Sequence, residues 1–227
     1  MDTASQELLP AVVIEPQGPA RHAVIWLHGL GADGHDFPPI VGEMRLDPAL
    51  AIRWVFPHAP AIPVTVNGGM VMPAWYDIRS PEIGERHDER GIRLSSARLE
   101  RLVEREVARG VPHERIVLAG FSQGGAIALF TALRHPQRLA GVVALSTYMV
   151  VGETLEAERQ AANQDLPVFQ AHGTLDPMVV FERGEDCRRT LERLGYSVEW
   201  HEYPMMHQVC LEEIEALAGW FRRVLGA

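Results

Sequence analysis

The stretch Arg115-Ile116-Val117-Leu118-Ala119-Gly120-Phe121-Ser122-Gln123-Gly124-Gly125-Ala126 decides how the rest of the chain is read. Residues 115–119 form a short apolar run of strand character, and residues 126–133 form a helical run. Between them stands Gly-x-Ser-x-Gly, with Gly120 and Gly124 two residues either side of Ser122. A strand turning into a helix this tightly forces its central residue into strained backbone angles. It also leaves no room for side chains two before and two after that residue. The turn lifts the serine hydroxyl to the top of a sheet, above a helix N-terminus that favours developing negative charge. The rival reading is a glycine-rich turn of the phosphate-binding kind. The stretch, however, has neither the lysine of a P-loop nor the glycine spacing of a dinucleotide fingerprint. Ser122 is therefore the candidate nucleophile.

Further apolar runs lie on either side of this stretch. Strands are predicted at His22–Leu27, 51–56, Gly141–Leu145, 167–171 and 197–203. Ile116-Val117-Leu118 and Val142-Val143-Ala144-Leu145 are apolar on both faces, as strands covered from both sides must be. A helix over 93–109 sets Leu99, Leu102, Val103 and Val107 on one face, and Gly110 and Pro112 stop it. A second helix over Leu211–Leu225 has Glu212, Glu213 and Glu215 in its first turns and Arg222 and Arg223 in its last, complementing the helix dipole. Strands alternating with helices give an α/β class with a mostly parallel central sheet and helices on both faces. The 227 residues suit a single domain, 1–227. Segments 59–89 and 147–165 fit no regular element. They are expected to overhang the carboxyl edge of the sheet, where open α/β folds place their sites.

Composition excludes several functions. Apolar residues are 47% and charged residues 22%, which argues against disorder. The net charge is −9 and all 21 basic residues are arginine, with no basic stripe to bind nucleic acid. No apolar run approaches the roughly 20 residues of a membrane span, so no stable membrane insertion is expected. Cys187 and Cys210 are too few and too isolated for a zinc site and read as reduced thiols. Residues 1–10 carry Asp2 and Glu7 around no apolar core. No signal peptide and a cytoplasmic location are therefore expected.

A serine hydroxyl at neutral pH needs a base, and the base needs an orienting acid. After such a turn the acid precedes the histidine in the chain. Asp176 follows the predicted strand 167–171 on a loop punctuated by Gly173 and Pro177, at the strand's carboxyl end. Asp165 precedes that strand and faces the wrong edge, and Asp186 falls in a helical pattern. Of the two late histidines, His201 alternates inside a strand with Glu199, whereas His207 follows the strand in a loop before the last helix. Asp176 and His207 are chosen. His135 is expected to cap the helix after Ser122, and His58 and His113 read as ordinary loop residues. An oxyanion hole needs the N–H after the nucleophile, from Gln123, and one from an early strand-to-helix loop. The glycine-rich His28-Gly29-Leu30-Gly31-Ala32-Asp33-Gly34 is the candidate loop, with His28 read as a brace.

At this point the sequence resembles the small carboxylesterase/acyl-protein thioesterase group, the phospholipase/carboxylesterase family of α/β-hydrolases. The likeness runs along nearly the whole chain. It rests on His28-Gly29-Leu30-Gly31, Gly120-Phe121-Ser122-Gln123-Gly124-Gly125, His172-Gly173 with Asp176-Pro177, and Met206-His207 with Cys210. The resemblance implies an α/β-hydrolase fold, a triad of Ser122, Asp176 and His207, and an oxyanion hole from the amides of Leu30 and Gln123. It implies no cofactor and no metal, and dimers occur in the family. Trp75-Tyr76-Asp77 and Ser146-Thr147-Tyr148 resemble the family's bacterial esterases. The first expectation is therefore a carboxylesterase acting on small esters. The alternatives are an acyl-protein thioesterase or lysophospholipase with the same machinery and, more remotely, a non-catalytic binding protein. Met205 departs from the family pattern, where glycine or a polar residue is expected, and bears on the shape of the pocket.

The segment 61–75 holds Ile62, Val64, Val66, Met70, Val71, Met72 and Trp75 with no charged residue. It reads either as a buried hairpin turning at Asn67-Gly68-Gly69 or as a flap over the acyl chain. The flap is preferred, with Met70, Met72 and Trp75 as substrate-binding residues. Its shortness sets an expected limit of roughly four to eight acyl carbons, each extra methylene worth about 0.8 kcal/mol.

Overall fold

Nine strands and six α-helices make up the computed structural model, which describes residues 8–80 and 88–226. In chain order they are β1 (Ala11–Ile14), β2 (His22–Leu27), α1 (Pro38–Glu43), β3 (Ile52–Pro57), β4 (Ala61–Val64) and β5 (Met70–Pro73). After them come α2 (Glu89–Ala108), β6 (Ile116–Phe121), α3 (Gln123–Arg134), β7 (Gly141–Leu145) and α4 (Leu155–Glu158). The chain ends with β8 (Val168–Gly173), α5 (Phe181–Arg193), β9 (Val198–Tyr203) and α6 (Leu211–Leu225). Seven strands form one sheet in the order β1-β3-β2-β6-β7-β8-β9, and β1 alone runs antiparallel to its neighbour. This is the α/β-hydrolase fold, with helices on both faces.

Alternation along the strands supplies two cores. Ala23, Ile25 and Leu27 of β2 and Leu118 of β6 pack under Leu99, Leu102 and Val103 of α2 and the inner face of α3. Val24 and Trp26 of β2 and Phe169 of β8 point the other way, onto Leu217, Trp220 and Phe221 of α6. Helix α3, which follows Ser122, is buried on nearly all sides, because α2 lies across it. Glu106 of α2 is fully buried and paired with Arg53 of β3 at 2.7 Å, tying α2 to the sheet through a desolvated ion pair.

The predicted strands and long helices are all present, with shifts of a few residues at their ends. Segment 59–89 differs from the expectation of no regular element. It contains the β4–β5 hairpin, paired Ala61↔Pro73 to Val64↔Met70, with Gly68 and Gly69 at positive φ in the turn. Residues 81–87 of that segment, and residues 1–7 of the stretch read for a signal peptide, lie outside the described residues. Segment 147–165 holds the short α4 and two single 3₁₀ turns. Strand β1 is only four half-buried residues on an edge, too short for its alternation to stand out.

Helix α6 differs in one charge. Glu213, read as a dipole-complementing acid, is fully buried, and neither carboxylate oxygen finds a partner in hydrogen-bonding geometry among the described residues. Burial pushes its carboxyl up to about 8, and the nearby Cys210 backbone offsets this only in part. The folded chain thus keeps a proton that the unfolded chain releases above its ordinary value of 4.5. The stability that Glu213 contributes therefore falls as pH rises from that value toward about 8. Glu213→Gln, which carries no such proton, should become increasingly more stable than the parent across that window. Urea midpoints at pH 5, 6.5 and 8 check this; a gap that does not grow with pH would contradict it.

Candidate active site

Ser122 sits at the end of β6 and the start of α3 with φ 54° and ψ −123°, a strained backbone for a non-glycine residue. The turn is held from three sides. The Ser122 N–H donates to the Leu145 carbonyl (2.9 Å), and the Thr147 hydroxyl donates to the Ser122 carbonyl (2.6 Å). Crowding does the rest: a Cβ on Gly120 would strike the backbone of Gly124, and one on Gly124 would strike the carbonyls of Leu27 and His28. Both glycines of the motif are therefore required by close approach.

His207 and Asp176 come together as the sequence reading expected, joined through Nδ1 and Oδ2 at 2.6 Å. The carboxylate is fully buried, and its other oxygen accepts the N–H groups of Met178 (2.8 Å) and Val179 (2.9 Å). Burial alone would raise the Asp176 pKa; the hydrogen bonds from His207 and these amides outweigh it and hold the group below its ordinary value. Asp176 is thus an anion that keeps the His207 proton on Nδ1, leaving Nε2 as the basic nitrogen. The His172 ring beneath donates through Nε2 to the Val179 carbonyl (2.8 Å), fixing the loop that carries Asp176. Ser122 and His207 line one cavity. Among the described residues no direct hydrogen bond joins them, and unliganded pairs of this kind often tighten only around substrate. The alternatives are placed elsewhere. His201 stacks on Phe169 and bonds Glu199, Asp165 pairs with Arg138, and Asp186 pairs with Arg189.

The Gln123 N–H is the first of α3 and has no carbonyl within its own helix to bond. The Leu30 N–H makes no backbone hydrogen bond among the described residues, while its neighbour Gly31 donates to the Pro73 carbonyl (2.9 Å). His28 is a brace, as read. Its Nε2 accepts from the Ala59 N–H (3.1 Å), so the proton sits on Nδ1 and points at the Gly29 carbonyl (2.8 Å).

The proposed substrate contacts divide. Met72 lines the cavity, which has a volume of about 700 Å³, but Met70 is 63% exposed and does not reach it. Trp75 is 2% exposed and also does not line it, which corrects its assignment to the pocket wall. Its indole N–H donates to the His28 carbonyl (2.9 Å) and its backbone N–H to the Gln123 side-chain oxygen (2.8 Å). The Gln123 amide nitrogen donates in turn to the Tyr76 carbonyl (2.8 Å). Trp75 therefore clamps the two amide-bearing segments to each other. Met205 is buried outside the cavity, its carbonyl accepting from the Leu175 N–H (3.1 Å), so it shapes the histidine loop. The apolar walls missed from sequence are Phe121, Ile78, Tyr148, Met178 and Val179. Phe121, whose ring lies 4.7 Å from that of His207, was within reach as a variable position of the motif itself.

Residues 9–225 match the phospholipase/carboxylesterase family. The chain belongs to that family. Acyl-protein thioesterase 1 of Neurospora crassa is 40% identical over 92% of this chain and 87% of its own length. Acyl-protein thioesterase 1 of Cryptococcus neoformans is 38% identical over 93% and 96%. Among solved structures, Arabidopsis thaliana SOBER1 superposes with a TM-score of 0.85 at 31% identity, covering 91% of this chain and all of that one. Zea mays acyl-protein thioesterase 2 superposes with the same score at 26% identity, covering 96% and 99%. This member of the phospholipase/carboxylesterase family is a serine hydrolase.

Two substitutions test the site. Ser122→Ala should lower kcat by about 10⁶-fold without unfolding the chain, by analogy with other serine triads. Retention of a tenth of the activity in a folded variant would remove Ser122 from the nucleophile role. Trp75→Phe, which removes the indole hydrogen bond and shrinks a buried ring that does not line the cavity, should slow acetyl and octanoyl esters by the same factor. That factor should stay within the roughly 10²–10³ that one oxyanion donor supplies. A selective loss on octanoyl ester would return Trp75 to the pocket wall.

Proposed function

We propose that the chain hydrolyses acyl thioesters on protein cysteine, and oxyesters by the same route, with Ser122, His207 and Asp176 as its triad. Ser122, deprotonated by His207 Nε2, attacks the acyl carbonyl, and the amides of Leu30 and Gln123 receive the oxyanion. His207 then protonates the leaving sulfur or oxygen. A water deprotonated by the same ring attacks the acyl-enzyme, and the free acid departs. No step calls for a cofactor. A thiolate leaves more readily than an alkoxide, so the thioester places less demand on His207 as an acid.

The observation that carries the thioester reading is the sequence likeness to proteins named acyl-protein thioesterase, at 37–40% identity over about nine-tenths of the chain. It moves the first expectation from a general carboxylesterase to the thioesterase alternative. The form of the site agrees. The cavity lies within the roughly 300–1,000 Å³ of small-molecule sites. Met178 lines it and is exposed, and the loops that carry Asp176 and His207 also expose Leu175, Val180 and Met206. A mouth edged with apolar side chains suits an acyl chain presented from a larger body. The volume also suits longer chains than the four to eight carbons expected from the short hairpin. Among the described residues no helix is long and apolar enough to cross a membrane.

The test compares an S-acylated peptide with its O-acyl serine counterpart, matched in acyl chain. The thioester should be preferred in kcat/KM; a chain that cleaves only the oxyester is a carboxylesterase instead. Met72→Ala reads the acyl wall in the same assay. It should lower kcat/KM for octanoyl substrates by about tenfold, near the loss of two methylene contacts at about 0.8 kcal/mol each. Acetyl substrates should be little changed, and equal loss on both would place the acyl chain away from Met72.

A further inference from the structure

Away from Ser122, at the opposite end of the strand that carries it, three potential metal ligands converge. They are Glu104 on α2, His113 in the turn before β6, and His135 just after α3. One ligand atom from each lies within 4.8 Å of the others. We propose that Glu104, His113 and His135 form a binding site for a divalent transition metal ion of the zinc class.

The observation that separates this cluster from an ordinary surface pair is His135. Its ring is 2% exposed, and neither ring nitrogen has a hydrogen-bond partner among the described residues. It stands at the C-cap position of α3, as expected, but its side chain makes no capping hydrogen bond. A buried polar group without a partner is costly and calls for an explanation such as a bound ion. With neither nitrogen committed, the ring can offer one of them to a metal ion.

The geometry suits zinc. Glu104 Oε1 and His113 Nε2 are 3.1 Å apart, and the rings of His113 and His135 lie 5.3 Å apart, centre to centre. Tetrahedral bonds of about 2.0–2.2 Å put donor atoms roughly 3.3–3.5 Å from each other. Small rotations of the two outer side chains would therefore close the set. Glu104 is 59% exposed and His113 18%, which leaves an entry path and room for a water as fourth ligand. Two imidazoles and a carboxylate match zinc, nickel or copper rather than magnesium or calcium.

A second group, Asp33, His35 and His58, has the same residue types but a different state. There the His35 amide and ring both bond Asp33 Oδ1, and His58 Nδ1 accepts the Gly34 N–H (3.2 Å). Its third histidine, unlike His135, has a ring nitrogen already bonded to the backbone, so this group serves as the control.

The experiment is a zinc titration of the chelator-treated full chain, followed by calorimetry and thermal melts, with cobalt absorption as a report of coordination. One zinc per chain should bind at micromolar concentration or below. At about 100 times Kd, zinc should raise Tm by about 5–10 °C. Because His135 is in the core and its variants can fail to fold, the decisive variants are Glu104→Gln and His113→Ala. Each should weaken binding by at least the roughly 10–100-fold that even outer-shell changes cost. His35→Ala should leave binding unchanged. Binding that survives both variants, binding lost in His35→Ala, or no stoichiometric uptake at 100-fold excess over the chain would each overturn the proposal.

Discussion

The backbone of Ser122 can hold φ 54° only because everything around it forbids relaxation. Strain of this kind costs on the order of 1–3 kcal/mol and persists where the surroundings over-determine it. Here they do so by contact. Gly120 and Gly124 allow α3 to pack directly against β6 and against the end of β2, closer than any side chain would permit. Next to it Ser146, at the end of β7, is also at positive φ, and its N–H donates to the Ala171 carbonyl (2.8 Å). Two adjacent central strands thus end in strained serines, and the sheet's own hydrogen bonds hold both. The precision of the site comes from the sheet, and the loops around it are fitted to that edge.

The segment after β5 shows how one constraint generates the next. Once Ser122 is fixed, Gln123 is forced to be the first residue of α3, and its side chain points into the core. A buried amide must be satisfied on both its donor and acceptor sides. Trp75 and Tyr76 supply those partners, the Trp75 carbonyl accepts from Ser95 of α2, and the Tyr76 hydroxyl bonds that of Tyr148 (2.7 Å). Trp75 then reaches back to the His28 carbonyl, which belongs to the loop that places Leu30. The two amides proposed as the oxyanion hole come from segments more than 90 residues apart in sequence. A single indole and a single glutamine keep them in register.

This also explains what could be read from the sequence and what could not. The placement of Ser122, Asp176 and His207 on one edge was legible because each follows a strand, and parallel strands all end at the same edge of the sheet. His207 could be preferred over His201 by alternation alone, since a residue in mid-strand faces a helix and a residue past the strand faces the edge. Trp75 was misread because a large apolar residue in a loop looks like a wall without a core partner. Its partners, His28 and Gln123, lie 47 and 48 positions away. Glu213 was misread for the opposite reason. A glutamate in a first helical turn fits the dipole, although its spacing to Leu217 and Trp220 places it on the stripe of α6 that packs against the sheet. Pairs remote in sequence decide the case of Trp75, and no periodicity records them.

The histidines divide the work in a way that only their partners make visible. His28 has one nitrogen accepting from Ala59 and the other donating to Gly29, so a second proton would set donor against donor. Burial lowers its pKa in the same direction. His172 lies fully buried under the Asp176 loop with Nε2 committed to the Val179 carbonyl, and burial again lowers its pKa. Both rings are thereby locked as neutral struts. His207 pairs its Nδ1 with a buried carboxylate while standing at the cavity wall, and its Nε2 has no hydrogen-bond partner among the described residues. In the proposed mechanism the proton from Ser122 therefore goes to His207, since His28 has both ring nitrogens committed to the backbone and neither His28 nor His172 lines the cavity.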